Sequence, residues 1–325
     1  MRDRRPGSRS AIVVLIAAVL GASACSAHYV RSAPGTVSRP SLPLSSITRN
    51  VLVISVDGLR PDAIAAYRTP TLQRLMREGS YTLSASTIFP SKTLPSHTSM
   101  LTGQPPESHG VLWNSVATAD ADSIELPNIF SVARAHGYST AAFFSKAKFQ
   151  PLQRLGTLDY SQAPGGWFGR WSGERTVNDV AEYLEGARPN LLFVHLTDPD
   201  AAGHSAGWMT AEYGRAVLDA DATVDRLIGL AQGVYGSGNF SLIVTADHGG
   251  HGTNHGSSDS RDVTIPWIAW GQGVKQGVLE SSIRTMDTAS TVLWLLGLAK
   301  PADWTGEAVT EAYHPHTAQS AFALD

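Results

Sequence analysis

The chain has 325 residues, 42% of them apolar, which suffices for one large α/β domain or two small ones and excludes disorder as the default state. Lys and Arg number 25 against 28 Asp and Glu, and the resulting net charge of −3 implies no basic surface for holding a nucleic-acid polymer and argues against nucleic-acid binding by bulk charge. The single cysteine excludes an intramolecular disulfide framework and a Cys-rich zinc site. Any metal must therefore be held by the 11 His and the carboxylates.

Residues 1–24 have the three parts of a secretory signal: Arg2, Arg4, Arg5 and Arg9, the apolar run AIVVLIAAVL, and the small residues GASA. Ten apolar residues are too few to cross about 30 Å of hydrocarbon at 1.5 Å per residue. Ala22-Ser23-Ala24 fits a small-x-small cleavage site, while Ala24-Cys25 resembles a bacterial lipobox with Ala22 in place of its usual Leu, so two endings stay open. Export is expected either way, to the cell envelope as a lipoprotein or periplasmic protein or into the medium. Membrane attachment would run through a lipidated Cys25. Residues 25–48 are rich in Ser and Pro and read as a tether outside the fold. The folded domain is expected over 49–312 and a polar tail over 313–325.

From Asn50 the run VLVISVDG predicts a buried strand, followed by a helix from Thr69-Pro70 to Gly79. Pro127 to Gly137 predicts another helix leading into the strand YSTAAFF, and Val177, Val180, Ala181 and Leu184 recur at helical spacing before the strand NLLFVHL. A long helix over 211–231 leads to the strand FSLIVTADHGG, and IPWIAWG gives a last strand before a helix over 288–296. This alternation predicts an α/β fold, a doubly wound and mainly parallel sheet with helices on both faces.

In such sheets reactive groups collect beyond the carboxyl ends of the strands. Asp57 follows VLVISV, Asp198 and Asp200 follow LLFVHLT with His204 four residues on, Asp247-His248 follows SLIVTA, and His251 and His255 lie in the glycine-rich loop after it. An Asp at one strand end is an ordinary turn former, but three such ends with His nearby supply ligands for two adjacent divalent ions of the zinc type.

The segments VDGLRPD, FPSKTLPSHTSMLTG, PPESHGVLWN, DPDAAGH, TADHGG and HGSSD resemble, in order, the motifs of the nucleotide pyrophosphatase/phosphodiesterase branch of the alkaline phosphatase superfamily. The resemblance covers about residues 50–300 and implies the alkaline phosphatase-like fold, two zinc ions and a small phosphate ester substrate. It places the nucleophile on Thr93 rather than Ser91. It assigns Asp57, Thr93, Asp247 and His248 to the nucleophile-side metal, and Asp200, His204 and His255 to the leaving-group-side metal, with His251 as the alternative to His255. Asn114, with the backbone N–H after Thr93, is expected to meet the phosphoryl oxygens. His97 and His109 are expected to form structural hydrogen bonds.

The residue matching the family's base-stacking Phe is Leu94. Lys146 and Lys148 in FFSKAKF can contact a substrate phosphate or sit as solvated loop charges, and Trp113, Trp167 and Trp171 can line the pocket or pack in the core. The reading is a hydrolase of phosphodiester or pyrophosphate bonds, nucleotide-type substrates favoured, working through a phospho-threonine. The alternative is the same machinery on a phospholipid headgroup, a phosphonate or a phosphomonoester. A sulfatase with a Cys-derived nucleophile is excluded because the only Cys is Cys25, outside the folded domain and far from the nucleophile position.

Overall fold

The computed structural model describes Met1, the backbone of residues 28–31, and residues 46–115, 126–153, 157–166 and 169–315. The signal over 2–24, Cys25 and Trp167 lie outside the described residues. Five strands form the parallel heart of the sheet: β2 (Val51–Val56), β4 (Thr140–Phe143), β5 (Tyr160–Ala163), β6 (Leu191–Leu196) and β7 (Ser241–Thr245). β8 (Thr264–Gly271) adds antiparallel to β7, β3 (Ser80–Ser86) adds antiparallel to β8, and β9 (Gly277–Val278) pairs parallel with β3. The order is β1-β5-β4-β6-β2-β7-β8-β3-β9, where β1 is His28–Arg31, antiparallel to β5.

Every residue of β2, β4, β6 and β7 is buried, as near-continuous apolar runs covered on both faces should be. On one face α8 (Ala211–Tyr235) packs against α1 (Pro61–Ala66), α2 (Pro70–Glu78), α6 (Gly173–Gly186) and α7 (Asp198–Ala206). On the other, α10 (Asp287–Leu295) packs against α3 (Thr93–Thr102) and α5 (Ile129–Ala135). Among the described residues the remaining α-helices are the short α4 (Pro106–His109) and α9 (Ser260–Val263), and 3-10 turns span Ala147–Leu152 and Thr310–Ala312. Among the described residues no helix is long and apolar enough to cross a membrane.

The predicted boundary at 48/49 shifts. Part of the stretch read as tether, His28–Arg31, extends the sheet, and the N–H groups of Ile47 and Thr48 both donate to the carbonyl of Leu295. The tail read from 313 begins later, since Tyr313 is 1% exposed and His314 N–H donates to Gly273 O.

Three elements around the site carry weak sequence patterns. β3 is SYTLSAS, too polar to announce a strand. All ten residues of α3 are buried, so no polar stripe marks it as a helix, and Thr98 and Thr102 satisfy their hydroxyls on carbonyls four residues back. α7 opens on Asp-Pro-Asp, which reads as a turn, yet Pro199 sits where a missing N–H costs nothing.

Candidate metal centre

The sheet changes winding direction around β2, whose parallel neighbours are β6 and β7. The carboxyl ends of these three strands therefore lie side by side. They deliver Asp57, then Asp200 through the first turn of α7, and then Asp247. Gly58 permits the close approach: its φ is +73°, and a Cβ there would stand 2.9 Å from the Cα of Asp200. Asp200 N–H donates to Asp57 O at 3.0 Å, closing that corner.

Asp57, Asp200 and Asp247 are at most 3% exposed. Each has one carboxylate oxygen engaged and one without a hydrogen-bond partner. Asp57 Oδ2 accepts from Lys146 Nζ at 2.5 Å and His195 Nε2 at 2.9 Å, Asp200 Oδ2 accepts from Lys146 Nζ at 2.5 Å, and Asp247 Oδ1 accepts from the N–H groups of Gly58 and His248. The unpartnered oxygens are Asp57 Oδ1, Asp200 Oδ1 and Asp247 Oδ2.

These three oxygens face imidazole nitrogens. His248 Nε2 lies 3.4 Å from Asp57 Oδ1 and 3.2 Å from Asp247 Oδ2, and Asp200 Oδ1 lies 3.4 Å from His204 Nε2 and 3.6 Å from His255 Nε2. Each ring places Nδ1 against a backbone carbonyl: His248 on Gly249 O at 2.8 Å, His204 on Thr253 O at 3.0 Å, and His255 on Ser91 O at 2.8 Å. A carbonyl can only accept, so the Nδ1 atoms carry the protons and the Nε2 lone pairs point at the orphaned carboxylates.

An orphaned buried carboxylate oxygen facing an imidazole lone pair is two acceptors with no donor, which costs free energy unless a cation lies between them. The residues thus fit two metal ions. The ligand atoms of Asp57, Asp247 and His248 lie within 4.8 Å of one another, as do those of Asp200, His248 and His255, so His248 stands between the two groups. Thr93 Oγ1 is 3.3 Å from His248 Nε2, whereas Ser91 Oγ donates to Ser257 O at 2.8 Å. His204 is the most open of the set, its side chain 43% exposed.

The electrostatics agree. Burial opposes ionisation of Asp57, but Lys146, His195 and His248 outweigh it and hold its pKa well below the carboxylate range. Asp200 is also lowered, Lys146 and the nearby histidines overcoming burial and the repulsion of Asp57. Asp247 is pushed well above it by burial and by the Asp57 charge. One lysine compensates two carboxylates and the third lacks a cation. Burial lowers the pKa of His248, and burial with His248 beside it takes His255 down to about 3, so both rings are neutral and able to ligate at neutral pH.

His251 lies away from the cluster, with Nδ1 2.7 Å from Asp262 Oδ1, a carboxylate that also accepts from Ser257. His97 donates from Nδ1 to Thr93 O and accepts from Ser55, and His109 bridges Ser99 Oγ and Val111 N–H, both as expected of structural histidines. The N–H following Thr93, that of Leu94, donates to Asn114 Oδ1 at 2.9 Å and so positions Asn114. Leu94 itself is fully buried and offers no stacking surface. Trp113 is half-buried, and Trp171 lines a cavity of about 710 Å³ beside His204 together with Arg170, Asp198 and Arg215.

Two residues of the cluster escaped sequence reading or were left undecided. His195 lies inside the all-buried strand β6, and a lone ionisable group within such a run is the signal that could have found it. Ser145 N–H donates to its Nδ1, which leaves Nε2–H for Asp57. Lys146 was a loop charge or a phosphate contact by sequence, and the fold turns it onto two carboxylates instead.

The doubly wound sheet thus carries at its switch point a cluster of carboxylates and histidines able to hold metal, which defines the class of α/β protein. Residues 51–263 match the family model for type I phosphodiesterase / nucleotide pyrophosphatase, and the chain belongs to that family. It is 26% identical over 233 residues to human ectonucleotide pyrophosphatase/phosphodiesterase family member 1, a match that covers 66% of this chain and 25% of that protein. The chain thus spans about a quarter of the length of this relative. Among solved structures it resembles murine ectonucleotide pyrophosphatase / phosphodiesterase 5, with a TM-score of 0.68 and 17% identity over 82% of this chain and 100% of that one. It also resembles the alkaline phosphatase PafA, with a TM-score of 0.65 and 13% identity over 86% of this chain and 100% of that one. The fold is alkaline phosphatase-like.

Proposed function

We propose that the protein is an exported hydrolase that cleaves phosphodiester or pyrophosphate bonds of small phosphate esters, nucleotide-type substrates included, through a phospho-threonine on Thr93. The observation that carries this reading is the set of three unpartnered carboxylate oxygens facing three oriented imidazole nitrogens, with Thr93 Oγ1 at its edge. Asp57, Asp247, His248 and Thr93 would hold one ion, and Asp200, His204 and His255 the other. Mixed nitrogen and carboxylate donors suit zinc. When bound, the ions supply Lewis acidity that favours the alkoxide form of hydroxyl oxygens and offsets charge on the phosphoryl group.

Thr93 Oγ attacks phosphorus as the bond to the leaving oxygen breaks, and water then attacks the same phosphorus and releases Thr93. The N–H of Leu94 fixes Asn114 Oδ1, which turns the amide's Nδ2 donor toward a non-bridging oxygen. His195 and Lys146 hold Asp57 and Asp200 in place.

Export rests on residues 1–25, and the native protein is expected to begin at or next to Cys25, with or without lipid. The activity is tested by a hydrolysis screen of the purified domain against p-nitrophenyl phosphate, bis-p-nitrophenyl phosphate, a nucleotide p-nitrophenyl ester, a lipid diester and a phosphonate. Chelator-sensitive cleavage of a diester supports the reading. Full activity in chelator with no bound metal overturns it.

A further inference from the structure

The segment FFSKAKF places two lysines beside the metal centre, and they differ in what they face. Lys146 Nζ is 2.5 Å from both Asp57 Oδ2 and Asp200 Oδ2, so its charge is consumed by the protein's own carboxylates. Lys148 is half-buried, and among the described residues its one hydrogen bond runs from Nζ to Asn114 Oδ1 at 3.3 Å, a neutral acceptor. Among the described residues no carboxylate oxygen lies within ion-pair distance of it. Burial and the neighbouring Lys146 charge lower its pKa, while Asp57, Asp200 and Asp247 act on it only from farther off.

Holding a long cationic side chain partly out of water without a counter-ion costs both solvation and side-chain entropy. An anion arriving against the ammonium would reverse both terms. The place where it would arrive is defined by a short chain of contacts: Thr93 is followed by Leu94, whose N–H donates to Asn114 Oδ1, and that oxygen also accepts from Lys148. A phosphoryl group on Thr93 and Asn114 therefore presents an oxygen toward Lys148. In a phosphodiester one of the three oxygens not bonded to the leaving group carries a second ester substituent, and the group bears one negative charge. In a monoester all three are free and share two charges.

We propose that Lys148 is a specificity-determining residue that seats the extra anionic oxygen of a phosphomonoester or terminal phosphate, so that the site accepts dianionic phosphoryl groups as well as diesters. This rests on the hydrolase reading above. Lys146 does not take this role because its charge is already compensated.

The test compares kcat/KM for p-nitrophenyl phosphate and bis-p-nitrophenyl phosphate at pH 8 in the zinc-loaded full chain, for the unmodified protein, Lys148→Met and Lys148→Arg. The unmodified protein is expected to cleave both esters. Lys148→Met is expected to lose at least about 30-fold on the monoester, with the monoester-to-diester ratio falling at least tenfold, and Lys148→Arg is expected to restore most of the ratio. Isothermal titration with inorganic phosphate should show a Kd at least tenfold weaker in Lys148→Met and recovered in Lys148→Arg.

Equal losses on both esters, or unchanged phosphate affinity, overturn the role of Lys148 and leave the hydrolase reading intact. An unmodified protein that cleaves only diesters does the same. One that cleaves neither ester removes the hydrolase reading and this inference with it. Should Lys148→Met not fold, Lys148→Gln takes its place, and a chain that folds with neither assigns Lys148 a structural role and overturns the proposal.

Discussion

His248 and His255 stack ring on ring, their centroids 3.6 Å apart and their planes 12° from parallel. Two charged imidazoles could not share that geometry. Two neutral ones can, and each directs Nδ1–H at a carbonyl, which leaves both Nε2 atoms for the carboxylates between them. The stack is how one glycine-rich loop meets the end of β7 at the centre.

His255→Ala is therefore expected to remove one ligand to the Asp200-side ion, lower zinc from about two to about one equivalent per chain and cut kcat/KM at least a hundredfold. His251→Ala, which only loosens the Asp262 loop, should keep both equivalents. Metal analysis after desalting decides between them, and the reverse pattern would make His251 the ligand.

The register of the nucleophile gives the second prediction. Thr93→Ala should keep fold and metal yet lose at least about a thousandfold in kcat/KM, or roughly 4 kcal/mol at 1.36 kcal/mol per tenfold. Ser91→Ala loses only a bond to Ser257 O and should stay within about tenfold. An inactive Ser91→Ala beside a working Thr93→Ala would place the register wrong by two residues.

Lys146→Met isolates the cation that the protein supplies itself. It leaves Asp57 and Asp200 buried without their lysine, and breaking a buried pair of this kind costs about 3–5 kcal/mol. The metal-free variant should therefore unfold at least about 6 °C below the metal-free parent, at 2–4 °C per kcal/mol for a domain of this size. Saturating zinc should close most of the gap by binding only the folded state. Equal melting temperatures without metal would show that Lys146 carries no such load.

His109 offers a pH test away from the metal ligands. Its Nδ1 accepts from Val111 N–H and its Nε2 meets Ser99 Oγ, a neutral arrangement, and burial brings its pKa down to about 4 from 6.5. The unfolded chain binds the proton more readily, so this contribution to stability is fully present above pH 6.5 and is lost as the pH falls through 4. By pH 5 the loss from this residue is about 2 kcal/mol. Urea titrations at pH 7.5 and 5 should show it, and His109→Gln should flatten that part of the pH slope. An unaltered slope would mean that His109 is not buried neutral.

The sheet was legible because its central strands are apolar runs that end on an acid: VLVISV on Asp57 and SLIVTA on Asp247 announce both the strand and the position of its reactive end. The helices at 70–78, 129–135 and 211–235 were legible from their period and their caps. Motif order within 50–300 carried the family, and with it the choice of Thr93 and His255.

What the sequence by itself could not decide is direction and distance. α3 and β3 were hidden because burial on all sides, or an alternation of Ser and Thr, erases the hydrophobic period on which such reading depends. That the N–H of Leu94 holds Asn114 is a relation across 20 residues, and that His195 holds Asp57 is one across 138. The two lysines of FFSKAKF stand two residues apart with the same chemistry. Only the packing of the turn after β4 sends Lys146 onto Asp57 and Asp200 and leaves Lys148 on Asn114, because the environment of a charge is set by which distant chain ends fold against it.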